Sequence, residues 1–153
     1  MKNISFFLLA TTVLLVSCAQ SGSDTRDKLD INGTSLPIIS KSYFSYEHTG
    51  SEMPPEMYYY FEIASHSIRT VITITHKCLG KTISLDKQSD LFWKIRIDAI
   101  DVTAGSDKEP VLASGSTLRV DKIGDHFKLV LKAINNANVI YCQIREFAKS
   151  TPV

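Results

Sequence analysis

The chain reads as all-β, a small antiparallel β-sandwich with a small β-barrel as the alternative, and three observations predict this. From about Leu36 onward the sequence breaks into short runs rich in Ile, Val, Thr and aromatics, separated by Gly, Asn, Asp, Ser and Pro, the composition of strands and turns. Several runs alternate: Trp93, Ile95 and Ile97 fall on one face, while Lys94, Arg96 and Asp98 fall on the other, as a half-buried strand requires. Phe127, Leu129 and Leu131 alternate likewise with Lys128, Val130 and Lys132, and Ile140, Cys142 and Ile144 with Tyr141, Gln143 and Arg145. Between these two runs lies Asn135-Asn136-Ala137-Asn138. Asparagine tolerates positive φ and supplies turn hydrogen bonds, so residues 126–147 are expected to form a hairpin.

In chain order, strands are expected near 36–47, 57–64, 68–78, 81–85, 91–101, 110–113, 116–122, 126–134 and 138–147. Asn32-Gly33-Thr34 matches a glycosylation pattern but reads as a turn into the domain. Gly50-Ser51-Glu52 and Ser106-Asp107-Lys108-Glu109-Pro110 read as loops. Neither internal repeats nor heptads are present.

The beginning of the chain has a different character. Lys2 precedes an apolar stretch from Ile4 to Val16 that ends in small residues and turns polar from Gln20 to Lys28. That stretch falls short of the roughly 20 apolar residues a transmembrane helix needs, and its layout is that of an export signal. At its end, Leu15-Val16-Ser17-Cys18 resembles the lipobox of bacterial lipoproteins. The resemblance implies cleavage before Cys18, acylation of Cys18 and a lipid anchor in the membrane, and Ala19 in place of Asp implies the outer membrane. Each buried methylene contributes about 0.8 kcal/mol, so a multiply acylated cysteine holds its domain on a membrane durably. Ser17-Cys18-Ala19 also fits an ordinary signal-peptidase site, which keeps open a secreted protein cut after Ala19. The expected organisation is a signal peptide over 1–17, a lipidated cysteine and flexible tether over 18–30, and a single β domain over 31–153.

Removal of residues 1–17 takes away one charged residue, Lys2, and leaves 16 basic and 16 acidic residues. A nucleic-acid binder neutralises many phosphates with a clustered basic surplus, so nucleic acid is not an expected partner. The remaining length suits one domain with a real core.

Parity places Cys78 with Ile72 and Ile74, and Cys142 with Ile140 and Ile144, so both thiols are expected on apolar faces. In an oxidising compartment this predicts a buried Cys78–Cys142 disulfide, contributing about 4 kcal/mol by loop closure. Cys78, Trp93 and Cys142 together resemble the cysteine-tryptophan-cysteine pattern of immunoglobulin domains, which implies a sandwich. The pattern departs from that family at Ile140, where a tyrosine is usual, and Tyr141 points to the opposite face.

Catalytic patterns are missing: the sequence has no Gly-x-Ser-x-Gly, no His-Glu-x-x-His and no phosphate-cradling glycine loop. Ser84-Leu85-Asp86-Lys87 matches Ser-x-x-Lys without the partner motifs of that hydrolase class. His48, His66, His76 and His126 never fall at metal-pair spacing; His76 shares parity with Ile72 and Ile74 and is expected half-buried. No enzyme, cofactor or metal site is therefore expected.

The most distinctive stretch is Met53-Pro54-Pro55-Glu56-Met57-Tyr58-Tyr59-Tyr60-Phe61. In a strand Tyr58 and Tyr60 face one way and Tyr59 and Phe61 the other. Surface tyrosines offer flat apolar area with a polar tip, which suits sugar or protein partners. The functional expectation is a membrane-anchored, non-enzymatic binding module for a protein or glycan partner, with Tyr58, Tyr59, Tyr60 and Phe61 as contact residues. The alternatives are a structural subunit of an envelope assembly and a secreted immunoglobulin-like binding or inhibitor protein.

Overall fold

Alternation over Trp93–Ile97 and His126–Ile134 gives each strand one buried and one exposed face, and two such surfaces must cover each other to leave water. The structure, a computed structural model, describes residues 26–49, 56–107 and 112–150. The leader, Cys18, the rival cut after Ala19, the loop around Gly50–Glu52 and Met53–Pro55 lie outside the described residues. So do Lys108–Pro110 of the second expected loop and the first half of the strand expected at 110–113.

Twelve strands form two six-stranded sheets. They are β1 (Lys28–Ile31), β2 (Thr34–Ser35), β3 (Ser40–His48), β4 (Glu56–Ala64), β5 (Arg69–Thr75), β6 (Thr82–Ser84), β7 (Trp93–Ile97), β8 (Val102–Gly105), β9 (Thr117–Ile123), β10 (His126–Ile134), β11 (Val139–Ile144) and β12 (Ala148–Lys149). The first sheet runs β2-β1-β11-β10-β9-β6 and the second β12-β3-β4-β5-β7-β8. All pairings are antiparallel except β12 with β3. This is the expected β-sandwich; the sheets are not closed into one barrel, so that alternative falls.

The inner faces meet through aromatic rings. Phe127 on β10 packs against Tyr43 on β3 and Tyr59 and Phe61 on β4, with ring centroids 4.7, 5.1 and 5.3 Å away. Trp93, Ile95, Ile72, Leu118, Leu129 and Leu131 fill the layer around them. The indole Nε1 of Trp93 and Oγ1 of Thr70 are buried without a hydrogen-bond partner among the described residues, each at a cost of about 1–3 kcal/mol that the apolar layer must offset.

The 126–147 hairpin forms as expected from its asparagines. Asn135 Oδ1 accepts the Ala137 and Asn138 N–H groups at 3.0 and 2.7 Å. Asn32 and Gly33, with φ of 52° and 80°, make the positive-φ turn joining β1 to β2, a geometry only such residues adopt readily.

Elsewhere the structure redraws the expected elements. Strand β1 begins within the 18–30 segment read as a tether, with Leu29 fully buried beside Cys142. The 68–78 and 91–101 segments each leave their strand into a 3-10 turn, over His76–Cys78 and Asp98–Ile100. At the first of these the strand parity lapses, so His76 is exposed rather than half-buried.

Cys78 and Cys142 are both buried, Cys142 by its strand parity and Cys78 from within the 3-10 turn, but they are free thiols and the expected disulfide is absent. Topology is the reason. Cys142 lies in β11 between Leu29 of β1 and Leu131 of β10. Cys78 lies in the turn from β5 to β6, where Gly80 N–H donates to the Val120 carbonyl of β9 at 2.8 Å. β10 separates β11 from β9, and two strand spacings of about 4.8 Å exceed the reach of a disulfide. The Cys78 thiol instead donates to the Phe92 carbonyl at 3.1 Å. Burial pushes its pKa up, and burial pushes Cys142 up to about 12. Native protein at mildly alkaline pH should therefore take up no iodoacetamide at Cys78 or Cys142, and one equivalent at each after denaturation, read by intact mass of a chain beginning at Gln20. A native mass short by two hydrogens, with no uptake on denaturation, would contradict this placement.

Candidate functional site

β4 sits in the interior of the second sheet, between β3 and β5, so its alternating side chains must choose between the core and the outer face. The register puts Tyr43, Phe61, Ile72, Ile95 and Ala104 in one inward row, and Phe44, Tyr60, Thr73, Lys94 and Gly105 in the neighbouring outward row. Phe61 is 0% exposed and Tyr59 is 9% exposed, both against Phe127. The expectation that these two contact a partner is corrected: they are core residues holding the sheets together.

Tyr58 and Tyr60 do face outward, and their neighbours treat them differently. Tyr58 is stacked on Tyr46 at 5.4 Å and 11°, and the edge of Phe92 meets it at 5.4 Å, so only 6% of it reaches solvent. Tyr60 stacks on Phe44 at 4.6 Å and 24°. Phe44 approaches from β3, and on the other flank of Tyr60 the next strand carries only Thr73. The Tyr60 ring therefore forms one wall of a groove of about 330 Å³, lined also by Val71, Thr73, Lys94, Arg96 and Thr103.

The groove crosses β4, β5, β7 and β8, and its shape follows from side-chain size. Val71 and Thr73 of β5 are short and make the floor between Tyr60 of β4 on one side and Lys94 and Arg96 of β7 on the other, and Thr103 of β8 lies beyond Arg96. At the β8 end, a Cβ on Gly105 would stand 2.8 Å from Asp107 Oδ1 and 3.5 Å from the Trp93 carbonyl, so glycine lets that carboxylate close over the strand.

Most charges on this face are paired. Arg69 meets Glu62 at 2.7 Å, Arg96 Nε meets Asp98 at 2.8 Å, and Lys77 meets Glu56 at 3.0 Å with His76 at 3.8 Å. The Glu62 hydrogen bond holds the Arg69 guanidinium above its ordinary pKa. Burial, and then Tyr58 beside it, pushes the Tyr46 hydroxyl up. Lys94 is exposed and has no ionic partner among the described residues.

Sequence reasoning singled out Tyr60 and missed Phe44, Tyr46 and Phe92. The alternation Ser42-Phe44-Tyr46-His48 carried the signal for the first two. Lys94 and Arg96 were legible as an outward face, but that they lie opposite Tyr60 depends on β5 pairing with β7. No group of three His, Cys, Asp or Glu residues among those described is placed to hold a metal ion. No described helix is long and apolar enough to cross a membrane. The chain matches no protein-family model, and no curated protein or solved structure matches it either.

The placement of β4 gives a direct contrast in stability. Phe61→Ala should cost about 3–5 kcal/mol in urea unfolding, as large-to-small changes in packed cores do. Tyr60→Ala should cost about 1–2 kcal/mol, mostly its stack on Phe44. Equal losses in the two variants would contradict the assignment of the two faces.

Proposed function

We propose that the chain is a lipid-anchored envelope protein whose sandwich is a non-enzymatic binding module, taking a protein or glycan partner on the outer face of the second sheet. The anchor rests on the lipobox resemblance of Leu15-Val16-Ser17-Cys18. The observation that carries the binding role is the groove beside Tyr60: an aromatic wall, two threonine hydroxyls, an amine and a guanidinium converge on one concave surface. Ligand sites combine apolar walls with a few placed polar groups in this way.

The face is also prepared for contact. Its rings support one another from strand to strand, so they lose little further freedom when a partner arrives. The strands beneath are held by continuous ladders on both sides of β4, β5 and β7, which keeps the geometry fixed before binding.

Two measurements test this reading. Intact mass of the membrane-extracted protein should show a chain beginning at an acylated Cys18; an unmodified chain beginning at Gln20 would remove the anchor. A photo-crosslinking phenylalanine analogue at Thr103 should give a discrete adduct in intact cells, while the same analogue at Lys132, on the outer face of the other sheet, gives none. Equal adducts at both positions, or none at Thr103, would remove the binding face.

A further inference from the structure

Three acidic residues of the outer face are each matched by a basic one, Glu62 by Arg69, Asp98 by Arg96 and Glu56 by Lys77, and a fourth, Asp107, brings its carboxylate over Gly105, the cross-strand neighbour of Lys94. Lys94 is left over, on the groove wall opposite Tyr60. Arg96 spends Nε on Asp98, and no other partner of its guanidinium is found among the described residues. Lys94 makes no ion pair with Asp107 or with any other described carboxylate, so its amine and the remaining N–H groups of Arg96 stay available as donors to the groove. Asp107 stands at the Gly105 end, across from Lys94, so an anion is favoured toward Arg96, on the side of Lys94 farther from that carboxylate.

The kind of anion follows from what else the groove offers. Beside Tyr60 it crosses the face of the sheet, where the backbone groups of β4, β5 and β7 are already spent on their neighbours, so a peptide finds main chain to pair with only at β8, the edge strand at the far end. Recognition is left to side chains: the uncovered face of Tyr60, the hydroxyls of Thr73 and Thr103, and the cations. A pyranose ring has a C–H face to lay on an aromatic ring and hydroxyls at its rim, and a uronate adds one carboxylate. From this geometry we infer that the groove binds an acidic saccharide, its sugar ring against Tyr60 and its carboxylate on Lys94 and Arg96. The inference rests on the binding-module reading and supplies its ligand class. A groove of about 330 Å³ lies at the small end of the ~300–1,000 Å³ range of ligand sites, so it takes a short stretch of a longer polymer.

The test is calorimetric titration of the detergent-extracted mature protein with tetrasaccharides of galacturonate, mannuronate and glucuronate, with neutral galactotetraose, and with tetraglutamate. At least one uronate should bind about tenfold more tightly than both the neutral sugar and the peptide, as a charge-assisted contact added to a stacked ring requires. Lys94→Gln should lower that affinity about tenfold while Lys94→Arg retains most of it. Tyr60→Ala, shown folded by its urea transition, should lower it by a similar factor. Lys94 is exposed, so its replacement leaves the fold intact. Tetraglutamate binding as tightly as every uronate, failure of all three uronates to bind, or unchanged affinity in Lys94→Gln would each overturn the inference. If crosslinking at Thr103 succeeds while all uronates fail, the ligand class falls and the binding face stands. Absence of the Thr103 adduct removes the face itself.

Discussion

The structure depends on a contact across the sandwich, Phe127 of β10 set among Tyr43, Tyr59 and Phe61 of the opposite sheet. Rings at these separations and tilts hold favourable edge-and-face arrangements, worth about 0.5–1.5 kcal/mol per pair beyond the area they bury. With no disulfide between Cys78 and Cys142, the sheets are held together by packing of this kind. Phe147 extends the cluster from the segment ahead of β12, 4.9 Å from Phe61, and so draws the end of the described chain onto the core.

This contact decides the outer face as well. A strand has a period of two, so committing Tyr59 and Phe61 to the interior commits Tyr58 and Tyr60 to the exterior. Tyr58 is then covered by Tyr46 and Phe92, and Tyr60, supported by Phe44, keeps one flank open toward Thr73. The outer groove is in this sense the reverse side of the core, positioned by the same residues that stabilise it. The ion pairs around it are solvent-facing at their basic ends and contribute little to stability; they occupy the neighbouring charges and leave Lys94 without an ion pair on the groove wall.

Much of this was legible in the sequence where the pattern was local. Trp93–Ile97 and the 126–147 hairpin declare their faces by alternation, and the sandwich follows from their number and length. The two-face reading of Tyr58 to Phe61 was local too, although which pair faced the core was not, because that depends on Phe127 some sixty-six residues beyond Phe61. Long-range pairing defeated the disulfide reading. Parity says that a cysteine points inward, but not how many strands stand between it and another inward cysteine. The short strands β1, β2, β8 and β12 were missed for a related reason. They are two to four residues long, too short to show a period, and are defined by the neighbours they pair with.

The most direct measurement on this account is a double-mutant cycle joining Phe61→Leu and Phe127→Leu, read by urea unfolding. If the two rings meet across the sandwich, the paired loss should depart from the sum of the single losses by about 0.5–1.5 kcal/mol. Additivity within experimental error would mean that the two rings do not touch, and with that contact would go the assignment of inner and outer faces on β4.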